Sequence, residues 1–97
     1  MVIGVCKVTL HLPESSSLKG KRRVIKSIIG RVQHHFAVSI AEVGDNDLWQ
    51  IAELGIAYVS NDSQHANEVL SKVVEFISHS SEEMLVTDYE LEILHAL

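Results

Sequence analysis

The residues best equipped to do chemistry in this chain of 97 residues form one basic stretch, Lys19, Lys21, Arg22, Arg23, Lys26 and Arg31. Cations this close together can pair with the phosphates of RNA, each contact releasing condensed counterions, or can simply be a solvated helix face. Just before them, Ser15, Ser16 and Ser17 offer hydroxyls and backbone N–H groups that either hold an anion or cap a helix. The histidines are scattered: His11, His34, His35, His65, His79 and His95. Adjacent His34 and His35 diverge by about 100° on a helix, and no pair stands four residues apart around a carboxylate. No histidine has a serine or cysteine partner suggested by spacing, so neither a catalytic residue nor a metal or other cofactor is expected. Cys6, the one cysteine, cannot close an internal disulfide and suits a buried thiol in a reducing compartment. Trp49, the one tryptophan, follows the turn residues Asp45, Asn46 and Asp47. It can anchor a partner or cover the end of the core.

The elements that must position these groups follow from the apolar pattern. An apolar fraction of 46% with 22% charged residues is that of a globular chain, and 97 residues suit one domain spanning residues 1–97. The N-terminal run Met1 to Leu12 carries Lys7 and His11 and ends at Pro13, unlike a signal peptide or a membrane span, which leads to an expected cytoplasmic location and no membrane partner. From Val2 to Leu12 the even positions are apolar, a strand period that Pro13 ends. A helix is expected from about Leu18, with Leu18, Ile25, Ile28, Ile29, Val32 and Phe36 on one side and Lys19, Arg22, Arg23 and Lys26 on the other. Ala37 to Val43 reads as a short strand, 44–47 as a turn and Ile51 to Ser60 as the return strand. Asn61, Asp62 and Ser63 can cap a second helix whose stripe is Ala66, Val69, Leu70, Val73, Phe76 and Ile77. Met84 to Leu94 alternates again, with Leu85, Thr87, Tyr89, Leu91 and Ile93 on one face and Val86, Asp88, Glu90, Glu92 and Leu94 on the other.

The order β-α-β-β-α-β predicts an α+β, ferredoxin-like sandwich: a four-stranded antiparallel sheet in the order 4-1-3-2 with both helices on one face. The open face then carries Ile3 and Val5 beside Ala57 and Val59, an apolar end suited to self-association as a homodimer. That face lacks the stacking aromatics of RNA-recognition motifs, so any RNA contact expected here is to phosphate or shape. Acylphosphatases share the element order, but Pro13 and Glu14 stand where their phosphate chemistry requires a glycine-rich, arginine-bearing cradle. Charge is segregated along the chain. Residues 1 to 31 hold seven cations against Glu14, and the rest holds Lys72 against twelve acids, which together give the net charge of -5.

Ser17, Leu18, Lys19, Lys21, Arg22, Arg23 and Val24, then Val38, Ser39, Ala41, Glu42 and Val43, form a recognisable pattern. It continues through Asp47, Trp49, Gln50, Ala52, Leu54 and Gly55 to Val59, Ser60, Asn61 and Asp62. Over nearly its full length the chain resembles the YlxP-like family, small bacterial proteins of unknown function. The resemblance implies a ferredoxin-like fold and carries over no catalytic residue. Such proteins are often encoded beside translation initiation factor 2 and ribosome-binding factor A, which implies ribosomal particles or ribosomal RNA as partners. The expectation is a non-enzymatic binding module whose first helix meets RNA, with a self-associating scaffold as the alternative and an enzyme or small-ligand domain last.

Overall fold

Strict alternation along Val2–His11 forms the central strand β1, and its even positions Val2, Gly4, Cys6, Val8 and Leu10 are all buried. The computed structural model describes residues 1–97, and Leu12 extends this buried row past the end of the strand. Helix α1, Leu18–His35, starts where Ser17 caps it, the serine hydroxyl accepting the Gly20 N–H at 3.0 Å. Strands β2, Ser39–Gly44, and β3, Ile51–Ser60, make a hairpin, so the predicted strand starting at Ala37 begins two residues later. Helix α2, Ser63–Ser78, is capped by Asp62, whose carboxylate accepts the N–H groups of Gln64 and His65. Strand β4, Leu85–His95, closes the sheet.

The strand order is β2-β3-β1-β4, all pairs antiparallel. This is the expected ferredoxin-like α+β arrangement, with α1 over the β2 side and α2 over β1 and β4. Core residues come from one face of each element: Val8, Leu10, Leu54 and Ile56 from the sheet, Ile28 and Val32 from α1, Leu70 and Ile77 from α2. At Gly4 the helix lies so close that an added Cβ would stand 2.6 Å from Leu70 Cδ1, so any larger residue would require that side chain to shift.

One expectation about β4 needs correction. The β1–β4 register shifts between Thr9, opposite Asp88, and Leu10, opposite Val86, leaving Thr87 as an extra residue. The bulge reverses the alternation before it. Leu85 therefore lies opposite His11 on the open face and is 60% exposed, whereas Val86, assigned by simple alternation to the open side, packs against the core.

Candidate functional site

Helix α1 carries the cations, and its registry with the core sorts them. Lys19, Arg22, Arg23, Lys26 and Arg31 are exposed. Lys19, Arg22 and Lys26 are engaged by no ion pair within the chain. Arg23 reaches Glu83 at 3.1 Å, an exposed pair in which both side chains remain wet, so it holds the arginine only loosely. Arg31 donates to the carbonyl of Ser80. Both arginines thus lean toward the segment joining α2 to β4, while Lys19, Arg22 and Lys26 project freely.

Lys21 does not belong to this set, which corrects its inclusion among residues able to meet a phosphate. It is 1% exposed, and its ammonium is surrounded by the Asp45 carbonyl at 2.5 Å, the Leu48 carbonyl at 2.8 Å and Glu42 Oε2 at 3.0 Å. An ammonium has three protons, and here each has an oxygen. Glu42 Oε2 is buried and has no hydrogen-bond partner besides this ion pair, so the lysine is what compensates its burial. The signal was present in the sequence: Lys21 falls three residues after Leu18 and four before Ile25, within the apolar stripe rather than the basic one.

The clamp fixes the β2–β3 connection, residues 45–50. Asp45 takes a left-handed conformation at φ 58°, which Asp tolerates better than most residues, and its carbonyl also accepts the Leu48 N–H. At the far end, the Gln50 carbonyl accepts the Leu12 N–H at 2.8 Å, and the Gln50 amide donates to the carbonyls of Pro13 and Ser15. Trp49 stands between these two anchored residues and is 53% exposed. Part of the indole is covered and the larger part faces solvent, which is compatible with either role read from the sequence.

The serine loop is arranged for capping. Ser17 holds the Gly20 N–H and Ser15 donates to the Ser17 carbonyl, while the adjoining hollow is lined by Glu14 and by Arg23 paired with Glu83. The histidines remain dispersed, and no group of three or more His, Cys, Asp or Glu is gathered where it could hold a metal. Cys6 is buried, and desolvation raises its pKa from 9.0 to about 11. No helix is long and apolar enough to cross a membrane.

On the open sheet face the register brings Ile3 opposite both Val59 and Leu94, and Val5 opposite Ala57 and Glu92. Small residues Ser39, Ala41, Gly55 and Ala57 leave a shallow concavity bounded by Val5, Lys7 and Val43. At Gly55 an added Cβ would stand 2.7 Å from Val43 Cγ1, so the valine lies across the glycine.

Together these features define a ferredoxin-like α+β protein with a cationic helix surface and a partly apolar open sheet. The family described as "Protein of unknown function (DUF503)" matches residues 3–91, and the chain belongs to that family. It is 41% identical over 76 residues to the "Uncharacterized protein YlxP" of Bacillus subtilis (strain 168), covering 78% of this chain and 83% of the relative. Among solved structures, a de novo designed protein with a ferredoxin fold is similar at a TM-score of 0.58 and 13% identity, covering 97% of this chain and 84% of that one. A REP-associated tyrosine transposase bound to a REP hairpin is similar at a TM-score of 0.52 and 11% identity, covering 98% of this chain and 57% of that one. These structural likenesses establish the fold.

Proposed function

We propose that the protein is a non-enzymatic binding module that meets RNA phosphates, as on ribosomal RNA or ribosomal particles, through the exposed cations of α1. The observation that carries this reading is that Lys19, Arg22 and Lys26 project into solvent on one helix face with no intramolecular ion pair, in a chain of net charge -5. Acidic groups elsewhere leave them unneutralised, so the face retains the local field that attracts a polyanion. Arg23 extends the face, because an exposed ion pair with Glu83 exchanges readily for a phosphate.

Binding to ribosomal particles and ribosomal RNA across a salt series tests the proposal. The wild-type protein is expected to bind in a salt-sensitive manner. The double variant Arg22→Glu, Lys26→Glu is expected to bind weakly and to lose about 1.5 from the slope of log affinity against log salt, the share of two phosphate contacts. Equal binding by the two proteins, or none at low salt, refutes the reading.

A second reading, self-association, is favoured by the row Val59, Ile3 and Leu94 across β3, β1 and β4. Val59 and Leu94 are 61% and 42% exposed, and a second copy placed over this row would cover them. The two readings use different faces and are compatible.

A further inference from the structure

The sole tryptophan of the chain is exposed, yet its loop is among the most heavily tied segments of the fold. Backbone groups on either side of Trp49 are held, Leu48 by the Lys21 ammonium and Gln50 by the Leu12 N–H. The tying groups come from α1 and from the end of β1, so the indole is presented on a prepared platform, and ordering the loop adds little to the cost of binding. Trp49 is 53% exposed and stands outside the cluster of buried core residues, so a large part of the indole is open to a ligand.

The surroundings indicate what the platform receives. Lys21 is the point where helix and loop touch, and Arg22 follows it on the helix just as Trp49 follows Leu48 on the loop. Arg22 and Trp49 thus belong to the two elements that the Lys21 clamp joins. Asp47 stands beside the indole in sequence and is exposed, which opposes a phosphate at that spot but not the uncharged ring of a base. Phosphates would therefore run toward α1. A duplex keeps its bases stacked on one another and offers the indole no ring face, whereas an unpaired base does. The open sheet, where this fold would otherwise place its stacking aromatics, carries Glu53, Asp88, Glu90 and Glu92 instead.

We infer that Trp49 is the seat of an unpaired nucleobase, and that the RNA taken by the α1 face is single-stranded or looped beside the contacted phosphates. The inference rests on the phosphate reading and adds to it the class of RNA.

Because Trp49 is the only tryptophan, intrinsic fluorescence reports on it directly. The experiment titrates the full chain at low salt with a twelve-nucleotide single-stranded RNA, its DNA counterpart and a blunt RNA duplex of equal length. The same titrations are repeated on Trp49→Ala and Trp49→Phe by anisotropy of a labelled oligonucleotide. Single-stranded RNA is expected to quench the tryptophan emission. Trp49→Ala is expected to bind that RNA about 5- to 150-fold more weakly, the range of one base–aromatic stack, and Trp49→Phe is expected to recover most of the loss. Duplex binding is expected to be the weaker of the two and unchanged by either substitution. Tight single-stranded DNA binding with the same Trp49 dependence would support the base seat while showing that the ribose is not read. Undiminished single-stranded binding by Trp49→Ala, or preference for duplex, overturns the inference and leaves the phosphate reading standing. Absence of binding to any of the three nucleic acids overturns both.

Discussion

Lys21 is the residue on which helix and loop depend, and its replacement separates its electrostatic role from its packing. Lys21→Met keeps the aliphatic stem but leaves Glu42 and two loop carbonyls without their donor, and is expected to destabilise the protein by about 3 kcal/mol in urea unfolding. The double variant Lys21→Met, Glu42→Met removes the stranded carboxylate as well and is expected to recover part of that loss. If the single variant costs nothing, the clamp is not what orders the loop. Cys6 gives a second residue-scale prediction. Its folded pKa of about 11 lies above the value of 9.0 for a free thiol, so the folded state binds the thiol proton more tightly than the unfolded chain does. The resulting stability is fully present below about pH 9 and is lost as pH rises through about 11, at about 1.4 kcal/mol per pH unit between them. Urea unfolding at several pH values should show a steeper alkaline decline in the wild type than in Cys6→Ala, other titrating groups being common to both.

At the scale of elements, α1 carries a residue its packing does not require. Gly30 lies four residues after Lys26 on the solvent side, and an added Cβ would meet nothing within 4 Å. Glycine inside a helix costs about 1 kcal/mol relative to alanine, so Gly30→Ala is expected to stabilise the protein by about that amount in thermal or urea unfolding. A loss of stability would mean that the helix needs the glycine for a reason outside its steric surroundings. At Gly4, by contrast, a methyl would stand 2.6 Å from Leu70 Cδ1, so the same substitution would force that buried side chain to repack. Amphipathic spacing made both helices legible in the sequence. It also named the strand faces correctly except in β4, where one extra residue at Thr87 reversed the alternation, a change no propensity announces.

At the scale of the whole molecule, the two helices cover one sheet face and leave the other to solvent, and the apolar row Val59, Ile3 and Leu94 sits on that free face. If a second copy covers it, sedimentation equilibrium of the wild type should show concentration-dependent association, and Val59→Asp should remain a monomer with its fold intact. A wild-type protein that stays monomeric at high concentration would remove the self-association reading. Cations lie on α1 over the helical layer and acids line β4 on the open face, so the two proposed surfaces are separable by mutation. Arg22→Glu, Lys26→Glu should leave any dimer unchanged, just as Val59→Asp should leave RNA binding unchanged.

The sequence by itself determined the element order, the core faces of β1, β3 and both helices, and the existence of a basic stripe. Those properties follow from periodicity and capping chemistry, which are local. Only the tertiary structure decided what the inward member of the basic run meets, the Asp45 and Leu48 carbonyls and Glu42. Lys21 lies within the run of cations yet points at the sheet, because the helix must present Val24, Ile25 and Ile28 to the core and its rotation is thereby fixed. The setting of Trp49 is equally non-local: its neighbour Leu48 is held by a lysine 27 positions earlier in the chain, and Gln50 reaches back to Leu12, Pro13 and Ser15. Long-range hydrogen bonds of this kind leave no period in the sequence, because what they require of each partner is one donor or acceptor at a place the fold alone defines.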